Sequence, residues 1–212
     1  ITADDRLCRE KPQDVISGLK LIMKIFGLKE GHIGIEDNKP QAIEALKEAA
    51  KDETGILIDV LPAKYPQGAE KQLIYALTRR QVLEGGLPMD VGCVVMNIGT
   101  AAAVHDAVVL GHPLIERITT VTGNPVVDPA NWLARIGTPI RKLLELSSGV
   151  KENPAKVIMG GPMMGFAMYS LDVPVVKGSS SLLVFKEDVV SKLETSACIR
   201  CGRCGDGCPS HL

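Results

Sequence analysis

Four cysteines near the end of the 212-residue sequence constrain the chain more than any other feature. Their spacing is C-x2-C-x2-C-x3-C, followed by proline: Cys198, Cys201, Cys204, Cys208 and Pro209. This spacing is typical of iron–sulfur ligation, because soft thiolates prefer iron–sulfur clusters, zinc or Cu(I) to hard cations. Zinc is the alternative, but zinc sites usually show two separated C-x2-C halves or histidines at fixed spacing. The sequence therefore predicts an iron–sulfur segment with these four cysteines as candidate ligands.

The composition excludes several classes of protein. Apolar residues make up 45% of the chain and aromatic residues only 3%, so we expect an aliphatic core. The formal net charge is -1, and no basic–aromatic pattern indicates a nucleic-acid surface. The longest uncharged runs, 91–104 and 157–171, are too short to cross a bilayer, and these 212 residues show no secretory-signal pattern. A cysteine run without a disulfide framework favours the reducing cytoplasm.

Helical and extended patterns alternate over the first half of the chain. Apolar residues recur at helical spacing after Pro12, and Gly27 is a suitable C-terminal cap for that helix. The patterns predict helices over 12–26, from 40 onward, over 69–79 and up to about 110, and strands over 32–35, 56–61 and 91–96. Strands that alternate with helices predict an α/β fold with a parallel sheet.

The pattern changes after Gly111-His112-Pro113. Shorter elements follow, and we expect a small α+β domain with strands over 115–121, 157–159, 173–176 and 182–185 and a helix over 139–146. A helical lead over 188–197 precedes the cysteines. The predicted domains are residues 1–113, 114–187 and 188–212.

Three polar loops would leave the carboxyl edge of the predicted parallel sheet, where ligands bind in such folds. They are residues 36–38, 65–71 and 97–100. Each has a plain structural explanation, since Asn38 and Thr100 could cap helices and Glu70 suits a first helical turn. Their convergence beside a cysteine run nevertheless favours a cofactor site. No G-x-G-x-x-G follows a strand, and the glycine-rich stretch 160–165 is better explained as a tight turn.

With these motifs, the chain resembles the C subunit of the Rnf ion-translocating electron transport complex along essentially its whole length. The motifs that carry the resemblance are Gly34–Pro40, Tyr65–Leu73, Val121–Asn124, Ile158–Gly165 and Cys198–Cys204. The family is similar to the flavin-carrying, NADH-binding subunit of respiratory complex I. The resemblance implies a Rossmann-like flavin domain, then a β-grasp soluble-ligand-binding domain, then the start of a ferredoxin-like iron–sulfur domain.

The resemblance also implies a function. An electron-transfer subunit would pass electrons from NADH through FMN to two [4Fe–4S] clusters, at the cytoplasmic face of the membrane. Other Rnf subunits, some of them integral to the membrane, would be its partners and would pump Na+ or H+. The implied cofactor-binding residues are Tyr65, Gly68, Glu70, Lys71, Asn97 and Thr100. Two residues differ from the Y-x-x-G-E-E-T loop of complex I. Ala69 stands in place of its first glutamate, and Lys71 stands in place of its threonine.

Two further hypotheses remain open at this point. One is a cobalamin-reductase type of flavo-iron–sulfur protein, and the other is a binding or assembly module that has lost its cofactor. We also expect the sequence to be part of a longer protein, because it opens without methionine and lacks a second cysteine run. The 212 residues alone are therefore expected to be inactive and to hold no fully ligated cluster, since Cys208 would serve the second one.

Overall fold

The computed structural model describes residues 2–151, 154–187 and 197–208. We use the name α/β region for residues 3–109 and mixed-sheet region for residues 116–185, because each has its own buried apolar cluster. The elements of the α/β region are α1 (Ala3–Glu10), α2 (Pro12–Phe26), β1 (Gly31–Glu36), α3 (Pro40–Ala49), β2 (Ile56–Leu61), α4 (Glu70–Thr78), a short 3-10 helix (Pro88–Val91) and α5 (Ile98–Val109). Those of the mixed-sheet region are β3 (Glu116–Gly123), β4 (Ala130–Arg135), α6 (Ile140–Leu146), β5 (Lys156–Met159), β6 (Phe166–Ala167) and β7 (Ser181–Phe185). A single-turn helix, α7 (Arg203–Asp206), lies within the cysteine run.

Helix α2 has the bounds that its sequence predicts. Pro12 stands in its first turn, and its buried face includes Val15 and Ile22. Gly27 ends the helix in the left-handed conformation, with φ 64°. Glycine adopts this conformation without a steric cost, which is why it commonly ends helices. The helix packs on α5 so closely that a Cβ on Gly18 would lie 1.8 Å from the carbonyl oxygen of Ala101.

The parallel sheet of the α/β region has two strands among the described residues. β1 pairs with β2 in parallel over their full lengths, from Gly31 opposite Ile56 to Glu36 opposite Leu61. The predicted third strand over 91–96 is wrong. Its first residue ends the 3-10 helix, Gly92 turns the chain with φ 68°, and residues 93–97 have no regular structure. The physical reason is that an extended segment becomes a strand only by pairing with a neighbour, and none lies beside it in the described part of the chain.

The mixed-sheet region contains a five-stranded sheet of order β4-β3-β7-β5-β6. Its central strand β7 pairs in parallel with β3 and antiparallel with β5, and Leu182 and Val184 are almost fully buried. The predicted strand over 173–176 is wrong. Pro174 makes only an isolated bridge with Pro139, because proline has no N–H with which to extend a ladder. Strands β4 and β6 were not predicted.

Helix α1, which the sequence patterns did not reveal, connects the two regions. Its N-cap residue, Thr2, makes no side-chain hydrogen bond to the helix itself. Instead, the N–H groups of Thr2 and Ala3 donate to the Thr120 hydroxyl of β3, at 3.2 and 3.1 Å. That hydroxyl in turn donates to Oδ1 of Asn131, at 2.7 Å. A strand of the mixed-sheet region thereby supplies the cap of a helix in the α/β region.

The sequence also predicted a helix over 188–197, before the cysteine run. Except for residue 197, this segment lies outside the described residues.

Candidate cofactor and cluster sites

The first polar loop, residues 36–38, contacts the end of β2 and the segment that leads from it to the second polar loop. The backbone N–H of Asp37 donates to the carbonyl oxygen of Leu61, at 2.9 Å. The carboxylate of Asp37 accepts from the N–H of Ala63, at 3.1 Å. Because β1 and β2 are parallel, both loops leave the carboxyl edge of the sheet, as the sequence predicted for them.

The loop over 65–71 presents polar groups to solvent at the start of α4. Tyr65 is 63% exposed. Glu70 is the first residue of the helix and is exposed, so its carboxylate lies at the positive end of the helix dipole. Gly68 is exposed as well, and a Cβ there would meet no atom within 4 Å. Lys71 donates to the carbonyl oxygen of Leu83, at 3.0 Å.

The third loop lies beside α1 instead of after a strand. Oδ1 of Asn97 accepts from the N–H of Gly99 at 2.8 Å and caps α5. Nδ2 of Asn97 donates to the carboxylate of Asp4, also at 2.8 Å. Thr100 is exposed in the first turn of α5. The structure thus gives Asn97 a helix-capping role and a partner on α1, and the strand that was expected to aim it at the sheet edge is absent from the described residues.

A cavity of about 760 Å³ lies between the start of α5, helix α1 and strands β3 and β4. Gly99 and Arg117 line it, and the guanidinium of Arg117 lies close to Gly99. Among the described residues, Nε of Arg117 is a buried side-chain atom without a hydrogen-bond partner. Sequence reasoning missed Arg117, because a lone arginine in a strand pattern carries no signal until the fold places it beside a helix N-terminus.

A second cluster that the sequence did not reveal lies between α2 and α5. Nδ1 of His105 and the Ser17 hydroxyl are 2.8 Å apart, and Nε2 of His105 is 3.5 Å from Oδ1 of Asp14. Asp106 completes a group whose ligand atoms all lie within 4.8 Å of one another. This spacing would admit a cation, but the contact between His105 and Asp14 accounts for the same geometry without one. Only the packing of the two helices brings these residues together.

The cysteine run is partly exposed. Cys198, Cys201 and Cys204 are exposed free thiols, and Cys208 is half-buried. The backbone N–H of Arg200 donates to Sγ of Cys198 at 3.3 Å, a type of contact that tunes iron–sulfur clusters. In the segment that the structure describes, the sulfurs of Cys198, Cys201 and Cys204 do not all lie within 4.8 Å of one another. The thiol donor set suits a cluster, in which each cysteine sulfur binds a different iron atom and the sulfurs therefore lie farther apart than around a single ion.

Cys8, the cysteine farthest from the run, is not a candidate ligand. It lies on α1 in the core of the α/β region and is 1% exposed. Burial raises the pKa of its thiol to about 12, with smaller contributions from the negative charges of Asp4 and Asp5. Since the thiolate is the form that binds metals, Cys8 remains a packing residue. Cys93 is half-buried, and its thiol lies 3.7 Å from the carbonyl oxygen of Val91.

The fold and the cysteine run together define a class of multidomain protein, in which an α/β domain is followed by a small mixed-sheet domain and a cysteine-rich segment. Comparison with known proteins gives the family. Residues 1–106 match the family described as Nuo51 FMN-binding domain, and residues 118–167 match the SLBB domain. The chain therefore belongs to the Nuo51 FMN-binding domain family. The predicted order of a Rossmann-like α/β fold and then an α+β fold is confirmed.

Curated relatives match along the whole chain. The chain is 50% identical to the C subunit of the "Proton-translocating ferredoxin:NAD(+) oxidoreductase complex" of Clostridium ljungdahlii, and it covers 46% of that protein. It is 44% identical to the C subunit of the "Na(+)-translocating ferredoxin:NAD(+) oxidoreductase complex" of Acetobacterium woodii, of which it covers 48%. The predicted resemblance to these C subunits is confirmed. The chain thus spans about half the length of these two relatives.

Solved structures show the same fold at low sequence identity. The structure titled "Crystal structure of NAD+-reducing [NiFe]-hydrogenase in the H2-reduced state" has a TM-score of 0.70 and is 18% identical. The match covers 87% of this chain and 38% of that one. Among the residues that the structure describes, no helix combines the length and the apolar character needed to cross a bilayer.

Proposed function

We propose that this chain is part of an electron-transfer subunit that passes electrons from NADH through FMN to [4Fe–4S] clusters. One observation carries the proposal: a region that matches an FMN-binding domain and a cysteine run with iron–sulfur spacing stand in the same chain. The relatives' names support a place in an ion-translocating oxidoreductase complex. In that complex the chain would lie at the cytoplasmic face of the membrane, beside the other subunits.

The residues at the start of α5 fit the phosphate end of FMN. The N–H groups of a helix N-terminus favour an anion, and Arg117 adds a positive charge with a buried Nε that lacks a partner among the described residues. Asn97 and Thr100 stand at the same helix start and would complete the polar shell.

The loop over 65–71 would bind the polar edges of the flavin and of the nicotinamide nucleotide. Tyr65 offers a phenol and Gly68 permits close approach of the backbone, because no side chain occupies the space there. Glu70 offers an exposed carboxylate at the start of α4, and Lys71 a positive charge beside it. When bound, FMN would couple a two-electron donor to one-electron acceptors. The protein's own part is to orient both nucleotides and to hold the charges around them.

The cysteine run would hold the acceptor. Cys198, Cys201 and Cys204 would ligate one cluster, and Cys208 would serve a second one. The 212 residues then lack at least one ligand for each cluster, so we infer that this stretch alone is inactive as an NADH-dependent oxidoreductase. We take the mixed-sheet region to be the domain over 114–187. It would hold the cluster segment at a distance from the flavin region that suits electron transfer.

Anaerobic purification of the complete gene product tests the proposal. We expect a flavin absorbance band, iron and acid-labile sulfide in equal amounts, and bleaching of the flavin band when NADH is added. The 212-residue chain serves as the matched comparison and should contain less iron than a full [4Fe–4S] cluster requires. A complete gene product without flavin and without sulfide would contradict the proposal and favour a binding or assembly module.

A further inference from the structure

The groove between α2 and α5 brings one imidazole and two carboxylates together. Asp14 lies on α2, and His105 and Asp106 lie on α5. One nitrogen or oxygen atom from each of the three lies within 4.8 Å of the others. All three residues are half-buried, so the group is partly shielded from solvent and still accessible to it. Imidazole nitrogen and carboxylate oxygen are ligands that divalent metal ions such as Zn²⁺ accept in proteins.

The closest contact between the two helices fixes the positions of these side chains. A Cβ on Gly18 would lie 1.8 Å from the carbonyl oxygen of Ala101, so the helices touch there without an intervening side chain. Asp14 stands about one helical turn before Gly18, and His105 stands about one turn after Ala101. Residues four positions apart lie on the same face of a helix, so both side chains lie beside this contact. The packing of the helices by itself therefore places the two groups close together.

The imidazole of His105 has the orientation of a metal ligand. Nδ1 is 2.8 Å from the Ser17 hydroxyl, so it can donate its hydrogen there and leave the lone pair on Nε2. Metal-binding histidines usually donate their other N–H in this way, which fixes both the tautomer and the ring. Nε2 in turn lies 3.5 Å from Oδ1 of Asp14. Two atoms that carry lone pairs attract each other only through a cation between them, which is either a proton or a metal ion.

The distances favour a metal ion over a proton. An N–H···O hydrogen bond joins atoms about 2.7–3.2 Å apart, so 3.5 Å is long for a bond between His105 and Asp14. Zinc ligands lie about 2.0–2.2 Å from the ion, which places two of them at a tetrahedral angle roughly 3.4 Å apart. Among the described residues, the carboxylate of Asp106 has no hydrogen-bond or ion-pair partner, and a contact between His105 and Asp14 alone gives it no role.

Charge and access also suit a divalent ion. Two carboxylates balance its charge, and a neutral imidazole adds none. Nζ of Lys11 lies 3.8 Å from Oδ2 of Asp14, which leaves Oδ1 for the ion. Asp14 and Asp106 also line the cavity of about 760 Å³ beside α1, so water can reach the remaining coordination positions. Three protein ligands with an open position distinguish this arrangement from structural zinc sites, which are closed by protein side chains.

From these observations we propose that Asp14, His105 and Asp106 bind a divalent metal ion of the Zn²⁺ or Mn²⁺ class, with water in the remaining positions. The ion would join α2 to α5 at the side of the groove that borders the cavity. This site is distinct from the cysteine run, because carboxylates and imidazole accept ions that thiolates do not prefer. The proposal does not depend on the proposed electron-transfer function.

Titration of the complete gene product with Mn²⁺ tests the site, because Mn²⁺ prefers carboxylate oxygen to thiolate and so avoids the cysteine run. Electron paramagnetic resonance follows the signal of the free ion, which is lost on binding. We expect about one Mn²⁺ per chain to bind at sub-millimolar concentration. Asp106→Asn and His105→Gln should each weaken binding more than about 100-fold, and Ser17→Ala about tenfold, because the serine only orients the imidazole.

The pair of His32 and Asp59 provides the matched control. Nδ1 of His32 lies 2.8 Å from Oδ2 of Asp59, but the part of the chain that the structure describes brings no third metal-binding group to this pair. His32→Gln should therefore leave Mn²⁺ binding unchanged. Unfolding midpoints without Mn²⁺ verify that the variants fold, and Asp106→Asn is the decisive one, because Asp106 is half-exposed. No binding at millimolar Mn²⁺, or binding that Asp106→Asn and His105→Gln leave unchanged, overturns the proposal.

Discussion

The two regions of this molecule use the same aliphatic residues, yet their sheets are completed to different degrees. In the mixed-sheet region, β7 has a partner on each side and is buried over four successive residues. In the α/β region, β1 has one partner among the described residues, and an apolar cavity follows its other side. This difference indicates that helices covering both faces of a sheet do not satisfy its edge strands, because the backbone groups at the edge still need a neighbouring strand.

The largest expected effect is on the free energy of unfolding, when equivalent side chains are truncated in the two sheets. Leu182→Ala in β7 should lower the free energy of unfolding by about 3–5 kcal/mol, because Leu182 is 1% exposed and its loss leaves a new void. Ile33→Ala in β1 should cost only about 2 kcal/mol, since the cavity already borders Ile33. Denaturant unfolding, followed by the fluorescence of Trp132 and by helical circular dichroism, measures both. Equal costs would show that the two sheets are equally complete.

The next effect concerns the connection between the regions. Thr120→Val keeps the side-chain shape but removes the hydroxyl that accepts from Thr2 and Ala3. We expect a loss of about 1–3 kcal/mol and faster hydrogen exchange in α1, because two N–H groups lose their acceptor. Thr119→Val is the matched control, because the Thr119 hydroxyl donates to Ser179 within the mixed-sheet region. Unchanged exchange in α1 of Thr120→Val would contradict this account of how the regions are joined.

A third prediction separates the two regions by function. Glu70→Gln, in the complete gene product, should lower the rate of NADH-dependent flavin reduction about tenfold, because the amide keeps the shape and removes the charge. Lys142→Ala, in the mixed-sheet region, removes an exposed pair with Glu145 and should leave that rate unchanged. Stopped-flow absorbance measures both rates, with iron content as the check that the clusters remain. Wild-type kinetics for Glu70→Gln would remove Glu70 from the proposed site.

The smallest effect is a pH dependence confined to the α/β region. The Cys8 thiol has a pKa of about 12 when folded and 9.0 as its ordinary value, so the unfolded chain releases this proton first. The contribution to stability is therefore complete below pH 9 and is lost as pH rises from about 9 to 12. At about pH 10 the wild type should have lost about 1.4 kcal/mol more than Cys8→Ala, relative to about pH 8. Parallel stability curves for the two proteins would show that Cys8 is not buried as described.

Much of the secondary structure, and the recognition of the family, could be predicted from the sequence. Pro12 and Gly27 mark the ends of α2, and residues 56–61 form β2 with the predicted bounds. These elements depend on local signals, which are proline and glycine geometry and apolar periodicity. The cysteine spacing is also a local property, and so are the motifs shared with the C subunits. The predicted domain limits and the six cofactor-binding residues stay predictions.

Other features were decided only by tertiary structure. Residues 91–96 carry the pattern of a strand, but a strand exists only where another strand pairs with it, and the sequence does not say which neighbours are present. The pairing of Asn97 with Asp4 joins residues 93 positions apart, and the cap of α1 by Thr120 joins residues 117 and 118 positions apart. Hydrogen bonds of this range depend on how helices and sheets pack. Local patterns determined which segments could fold, and packing decided which of them found partners.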